Sequence, residues 1–134
     1  IAGKVILSGW SAGGHLTAQC LGHPRVSAGL AVSGVFELGP IRDTYLNEKL
    51  KLREDELVKL SPLRLPMVKK PLAITYGTAE LPPLVSDSRK LHWVRSAQHL
   101  PGPLIPVPGA DHFTITHELR DADGLLTRHL KLLA

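Results

Sequence analysis

Four short apolar runs alternate with longer segments of mixed character along the chain. They predict strands over residues 4–7, 28–32, 72–76 and 104–107, and a glycine follows each strand within two residues. Continuous apolar runs of this length are typical of strands that are buried on both faces of a parallel sheet. The pattern therefore predicts four such strands.

Three helices are predicted from residues that recur at helical spacing. One follows the first strand and ends near residues 22–24. One lies between the third and fourth strands, and one of its faces carries Leu84, Ser88, Leu91 and Val94. The third lies at the C-terminal end, and its apolar face carries Leu126, Leu130 and Leu133. The order of strands and helices predicts an α/β fold with three layers, in which helices flank a mostly parallel sheet. Active sites in such folds lie at the carboxyl ends of the strands.

A polar insert over residues 36–65 separates the second and third strands. It predicts one short helix around residues 55–60, and we expect it to cover the site because it leaves the sheet at a strand end. With 134 residues the chain is long enough for a single domain. Because it opens at Ile1 and enters a strand almost at once, we expect an N-terminally truncated domain whose sheet is completed by a missing segment or by a second subunit.

Composition narrows the classes of partner. The formal net charge is +4, but the basic residues are scattered and only six residues are aromatic, so we expect no nucleic-acid binding. No apolar run approaches the roughly 18 residues of a membrane span. The single Cys20 and the absence of a secretory apolar region predict a cytoplasmic protein. A small-molecule substrate is the remaining expectation.

The stretch SGWSAGGHL contains the pattern Gly-x-Ser-x-Gly between a predicted strand and a predicted helix. In a nucleophile elbow of this kind the serine adopts a strained conformation, and its neighbours must be small because the strand and the helix nearly touch. Small neighbours are present at Gly9, Gly13 and Gly14. The context predicts Ser11 as a nucleophile and the amide of Ala12 as an oxyanion donor. The alternative is that Ser11 only caps the helix.

A serine nucleophile needs a base, and His112 is the best placed of the seven histidines. It lies in the loop after the last predicted strand, from which an imidazole can reach the elbow. His117 is the weaker alternative, because it lies within or just before the final helix. No His-x-x-x-His, His-Glu-x-x-His or Cys/His cluster is present, and no phosphate-binding glycine motif either, so we expect neither a metal nor a cofactor.

The base needs a carboxylate to hold its tautomer. Glu80 follows the third predicted strand and therefore lies at the same edge of the sheet as the elbow. Asp87, on the following helix, and Asp111, next to the histidine, are the alternatives. With Glu80 as the acid, the chain order is nucleophile, acid, histidine, which is the order of the α/β-hydrolases.

Four stretches together resemble the kynurenine formamidase (arylformamidase) branch of the α/β-hydrolases, near the esterase and lipase group: GWSAGGHL, VSGVFELGPIRDTYLNEKLKLREDELVKLSPL, YGTAELPPLVSDSRKL and VPGADHFTI. The resemblance runs from Val5 to the last helix. It implies the C-terminal portion of an α/β-hydrolase fold, with Ser11 as nucleophile and His112 as base. It also implies Glu80 as acid, where the family usually has aspartate.

The resemblance further implies substrate contacts. Tyr45 and Asn47 match a TYxN stretch of the family that lies near its pocket, and packing or capping within the insert is their alternative role. Trp10 stands where the family carries a smaller or polar residue, and we expect it to shape the pocket. The implied reaction is hydrolysis of N-formylkynurenine to kynurenine and formate, in tryptophan catabolism. A short-chain carboxylesterase is one alternative. The other is a catalytically incomplete binding module, since the family's oxyanion stretch HGG is absent.

Overall fold

The computed structural model describes residues 3–134, so that Ile1, on which the expectation of truncation rests, lies outside the described range. Four strands form one sheet in chain order, and every neighbouring pair is parallel. The strands are β1 (Val5–Trp10), β2 (Val26–Val32), β3 (Leu72–Gly77) and β4 (Leu104–Val107). The four predicted strands are thus confirmed, although β1 runs three residues further than predicted, to the elbow itself.

Helices alternate with these strands. They are α1 (Ala12–Cys20), α2 (Gly39–Arg42), α3 (Asn47–Leu50), α4 (Glu54–Leu60), α5 (Pro82–Ala97) and α6 (Leu125–Leu133), with 3-10 helices at Pro62–Arg64 and Thr114–Leu119. Within residues 3–134, no helix combines the length and the apolar character needed to cross a bilayer.

Two apolar clusters, one on each face of the sheet, form the core. One joins Leu21, at the end of α1, and Leu91 of α5 to strand residues that include Ile74. The other joins Leu126 of α6 to strand residues that include Leu30 and Ile105. Helices therefore cover both faces of the sheet, and the predicted three-layer arrangement is confirmed.

The strands differ in burial, because β1 and β4 are the edges of the sheet. The side chains of β3 are buried throughout, whereas Val5, Ile6 and Leu7 of β1 are only half-buried. The expectation that every strand is buried on both faces is therefore wrong for β1, and also for β4, in which Pro106 is exposed. Within the described residues no strand lies beyond β1, so its backbone pairs with a strand on one side only.

The helical face of α5 also differs from the expectation. Ser88 and Leu91 are buried as predicted, but the neighbouring buried positions are polar rather than apolar. Arg95 is 3% exposed, and its guanidinium donates hydrogen bonds to the carbonyls of Val68, Lys70 and Pro101. Burial lowers the pKa of Arg95. This buried cation fastens the segment before β3 and the segment before β4 to α5.

The insert contains three short α-helices and the 3-10 helix Pro62–Arg64 instead of the one predicted helix. Its start is held to α5 by Asp87, whose Oδ2 accepts the amides of Phe36 at 3.0 Å and Glu37 at 2.9 Å. Burial raises the pKa of Asp87, and these two hydrogen bonds oppose the rise. The sequence pattern missed α2 and α3 because each is only four residues long, which is too short to show a helical periodicity.

Candidate active site

The site begins at the turn between β1 and α1, where Ser11 is the single residue between strand and helix. Ser11 has φ 57° and ψ −115°. A positive φ is uncommon for a residue with a side chain and is found where the surrounding structure enforces it. The Ser11 amide is held by the Val32 carbonyl of β2 at 2.9 Å. Ser11 therefore has the strained backbone that a nucleophile elbow requires.

Close packing around the elbow involves two of its three glycines. A Cβ added at Gly9 would lie 2.2 Å from the Gly13 carbonyl oxygen, and one added at Gly14 would lie 2.8 Å from the Cα of Gly34. A Cβ added at Gly13 itself would meet nothing within 4 Å. The expectation that Gly13 must be small is therefore wrong, because its missing side chain would point into open space.

This difference predicts opposite results for two alanine substitutions. Gly9→Ala is expected to destabilise the fold by about 1–3 kcal/mol, the usual cost of overpacking, and to displace Ser11. Gly13→Ala, the matched control in α1, is expected to leave stability unchanged or to raise it by up to about 1 kcal/mol, because alanine favours a helix. Thermal unfolding followed by circular dichroism measures both. Equal destabilisation by the two variants would contradict the packing described here.

The loop after β4 brings His112 to the elbow. Its Nε2 lies 3.0 Å from the Ser11 Oγ, and its Nδ1 forms a short contact with Oε1 of Glu80. The rival His117 is exposed and lies in the 3-10 helix Thr114–Leu119. The structure thus brings together the three side chains that the sequence analysis placed in one group.

Glu80 is 8% exposed, and its second carboxylate oxygen is also bound. That oxygen, Oε2, accepts hydrogen bonds from the Ser33 hydroxyl at 2.9 Å and from the Gly77 amide at 3.2 Å. With one oxygen held by these donors, the other is directed at His112.

Ser33 is a site residue that the sequence analysis did not identify. It is fully buried and has φ 48°, and its amide donates to the Thr75 carbonyl at 2.9 Å. The signal was present, because Ser33 directly follows β2 at the carboxyl edge of the sheet, where active sites lie. Serine is so common at strand ends, however, that its position alone does not distinguish it.

The two other candidate acids have different partners. Asp87 binds the insert, as described above. Oδ1 of Asp111 accepts the amides of Phe113 and Thr114 at 2.9 and 2.8 Å and the Thr114 hydroxyl at 2.9 Å. These hydrogen bonds from Thr114 and Phe113 hold the pKa of Asp111 below its usual value. Asp111 therefore shapes the turn that follows the histidine.

Hydrogen bonds between two loops set the distance from Glu80 to His112. The amides of Thr78 and Ala79 donate to the carbonyls of Val107 and Ala110, each at 3.0 Å. In return, the Gly109 amide donates to the Thr78 hydroxyl at 2.8 Å. The loop after β3 and the loop after β4 are consequently joined just before the residues that meet.

Similar proteins are found by sequence comparison. No family model matches the chain. The chain is 32% identical over 139 residues to a kynurenine formamidase of Salmo salar, and 29% identical over 138 residues to one of Danio rerio. Each alignment covers 92% of this chain and 47% of the relative. The chain therefore spans about half the length of the curated relatives that it matches.

A solved structure with the same fold extends this likeness. A proposed thioesterase from Silicibacter sp. superposes with a TM-score of 0.82 at 26% sequence identity, over 98% of this chain and 52% of that one. The chain has the α/β-hydrolase fold and is similar to kynurenine formamidases. The resemblance noted in the sequence is thereby confirmed.

The remaining predicted residues of this α/β-hydrolase lie in two places. Ala12 is the first residue of α1, so its amide belongs to the first turn, where N–H groups have no partner within the helix. In the insert, Tyr45 is 80% exposed, and the Asn47 side chain accepts the Leu52 amide at 2.7 Å. The Asn47 side chain thus binds the chain just beyond α3, and α3 has no side-chain cap. The oxyanion role of Ala12 and the substrate roles of Tyr45 and Asn47 stay predictions.

Proposed function

We propose that this α/β-hydrolase cleaves small amide or ester bonds with Ser11 as nucleophile, His112 as base and Glu80 as orienting acid. The observation that carries the proposal is the 3.0 Å approach of His112 Nε2 to Ser11 Oγ at a strained elbow. A hydroxyl, an imidazole and a carboxylate linked in series can activate the hydroxyl and stabilise the imidazolium that forms.

The reaction has two steps. Ser11 Oγ attacks the carbonyl carbon while His112 Nε2 accepts its proton, and the Ala12 amide donates to the resulting oxyanion. His112 then returns the proton to the departing amine or alcohol, which leaves an acyl group on the serine. Water attacks this ester with His112 again as base, and the released acid and the free serine complete the cycle. Glu80 keeps the Nδ1 proton of the imidazole in place throughout.

For the substrate we propose N-formylkynurenine, which would be hydrolysed to formate and kynurenine. The names of the two sequence relatives support this choice. An aromatic leaving group also suits the ring of Phe113, which follows His112 and is 68% exposed. The insert residues Tyr45 and Asn47 are the proposed further contacts.

A short-chain esterase is the second candidate. It is favoured by the structural likeness to a proposed thioesterase, because that enzyme class acts on an ester-type carbonyl. The same three side chains serve either reaction, so the substrate and not the mechanism separates the two candidates.

Relative turnover tests the substrate. The protein is titrated with a fluorophosphonate to count reactive serines, and kcat/KM is then measured for N-formylkynurenine, for nitrophenyl acetate and butyrate, and for an acyl thioester. We expect hydrolysis of the formamide with release of formate. Turnover of the esters without formamide hydrolysis would support the esterase instead. Folded protein that neither labels nor turns over any substrate would contradict serine catalysis.

We further propose that additional strands pair with the outer edge of β1. Its half-buried apolar residues Val5, Ile6 and Leu7 form the kind of open edge that proteins normally cover. An open groove of about 490 Å³ is lined by Val5 and Leu7. Either a further segment of the chain or a second subunit would supply these strands.

A reducing, cytoplasmic setting is our proposal for the location of the protein, and it suits the exposed free thiol of Cys20.

A further inference from the structure

Trp10 makes two contacts with the histidine of the site, in addition to its ring contact with Phe113. Its indole Nε1–H donates a hydrogen bond to the backbone carbonyl of His112 at 2.7 Å. Its ring centroid also lies 5.0 Å from the centroid of the His112 imidazole, with the two planes inclined by 39°. The indole therefore binds both the backbone and the side chain of the residue whose Nε2 faces Ser11.

The position of Trp10 in the chain makes these contacts informative. Trp10 is the last residue of β1 and directly precedes Ser11. His112 lies 102 residues further along, on a separate loop. The indole thus spans the gap between the strand that presents the nucleophile and the loop that presents the base.

Apart from the contacts of the His112 ring with Glu80 and Ser11, the other restraints on the histidine loop act on the neighbours of His112. The Ala110 carbonyl is bound by the Ala79 amide, and Asp111 binds the amides of the two residues after the histidine. Between these points the His112 carbonyl is bound by Trp10. Because both flanking residues, Asp111 and Phe113, are exposed, the indole is the packing partner that this short stretch has on the side of the elbow.

We infer that Trp10 is a positioning residue, whose indole N–H and ring hold His112 at hydrogen-bond distance from the nucleophile. This role rests on the proposed serine mechanism. It differs from the substrate contact expected for Trp10 from sequence, because it acts through the histidine and not on the substrate. A displacement of about 1 Å in a reacting group can reduce a rate about a hundredfold, so a modest contact can have a large effect on the rate.

The first test removes the donor and keeps an aromatic ring. Trp10→Phe is compared with Trp93→Phe, a matched control at an exposed tryptophan of α5 that is 71% accessible. The rate constant for fluorophosphonate labelling of Ser11 and the kcat for substrate are expected to fall at least about tenfold in Trp10→Phe, with KM nearly unchanged. Trp93→Phe is expected to match the unmodified protein. Circular dichroism verifies that each variant folds.

A second variant isolates the hydrogen bond. Trp10→Gln loses the ring but retains an N–H donor of similar reach, so it is expected to label faster than Trp10→Met, which has similar length and no donor. Equal labelling rates for the glutamine and methionine variants would show that the N–H group does not position the histidine.

A double-mutant cycle identifies the residue through which Trp10 acts. In a His112→Ala background, Trp10→Phe is expected to cause no further loss of labelling, since there is no imidazole left to position. The same fold-loss in both backgrounds, or a change confined to KM, would overturn the inference and indicate a structural or substrate-binding role. Failure of the unmodified protein to label would instead contradict the serine mechanism itself, so the two failures are distinguishable.

Discussion

Replacing Ser11 with alanine is expected to reduce hydrolysis about a million-fold, to the level that a site without its nucleophile supports. The Ser11 Oγ is the atom that His112 Nε2 faces at 3.0 Å. Alanine retains the Cβ and so imposes the same demands on the strained backbone at φ 57°. The loss should therefore be chemical, and the fold should survive. Initial rates of N-formylkynurenine hydrolysis and the intact mass after fluorophosphonate treatment measure the effect.

Ser8→Ala is the matched control, because Ser8 is an exposed serine of β1, three residues before the elbow. It is expected to leave both turnover and labelling unchanged. An adduct that forms on Ser11→Ala as quickly as on the unmodified protein would place the nucleophile elsewhere in the chain, and retained turnover would exclude the proposed mechanism.

Replacing Glu80 with glutamine is expected to reduce kcat about ten-thousandfold. Ser33 and Gly77 both donate to one carboxylate oxygen, and the amide oxygen of glutamine would take that place. Its NH₂ group would then face the Nδ1 of His112 and donate to it. The imidazole would be forced to carry its proton on Nε2, where it cannot accept the proton of Ser11. The geometry is preserved, and only the tautomer is wrong.

Asp87→Asn tests the specificity of this effect. Asp87 is also buried, but its Oδ2 binds the amides of Phe36 and Glu37, and an asparagine oxygen can accept the same bonds. We therefore expect Asp87→Asn to change kcat only a few-fold, because Asp87 does not contact Ser11 or His112. Steady-state kinetics on both variants, with thermal unfolding as a check on the fold, make the comparison. A large loss in Asp87→Asn together with a small loss in Glu80→Gln would reassign the acid.

The fold was predictable from the sequence to a large extent, because a buried strand requires a continuous run of apolar residues. β2 and β3 are central, and their unbroken apolar runs follow from burial on both faces. β1 carries a similar run, yet it is only half-buried. A sequence pattern reports how apolar a strand is, and it does not report whether a neighbouring strand is present to cover it.

The burial of polar residues was harder to predict from the sequence. Arg95 and Asp87 lie inside α5's packed face, and each is held by backbone groups from distant segments. The burial of Ser33 is favourable because its hydroxyl donates a hydrogen bond to Glu80. From the sequence alone such residues are expected at the surface, since the partners that make their burial favourable lie 20 or more residues away in the chain.

The candidate site was likewise predictable only in part from the sequence. By itself the sequence determined the strand, the elbow serine and the helix, because the sterics of a tight turn act between residues a few positions apart. It also narrowed the base to His112 and ranked Glu80 first among three acids. The tertiary structure decided which of these groups meet. His112 reaches Ser11 across 101 residues, and Glu80 reaches His112 across 32. These contacts depend on the parallel strand order β1 to β4 and on the hydrogen bonds between the loops after β3 and β4. No local pattern in the sequence indicates contacts between residues so far apart in the chain.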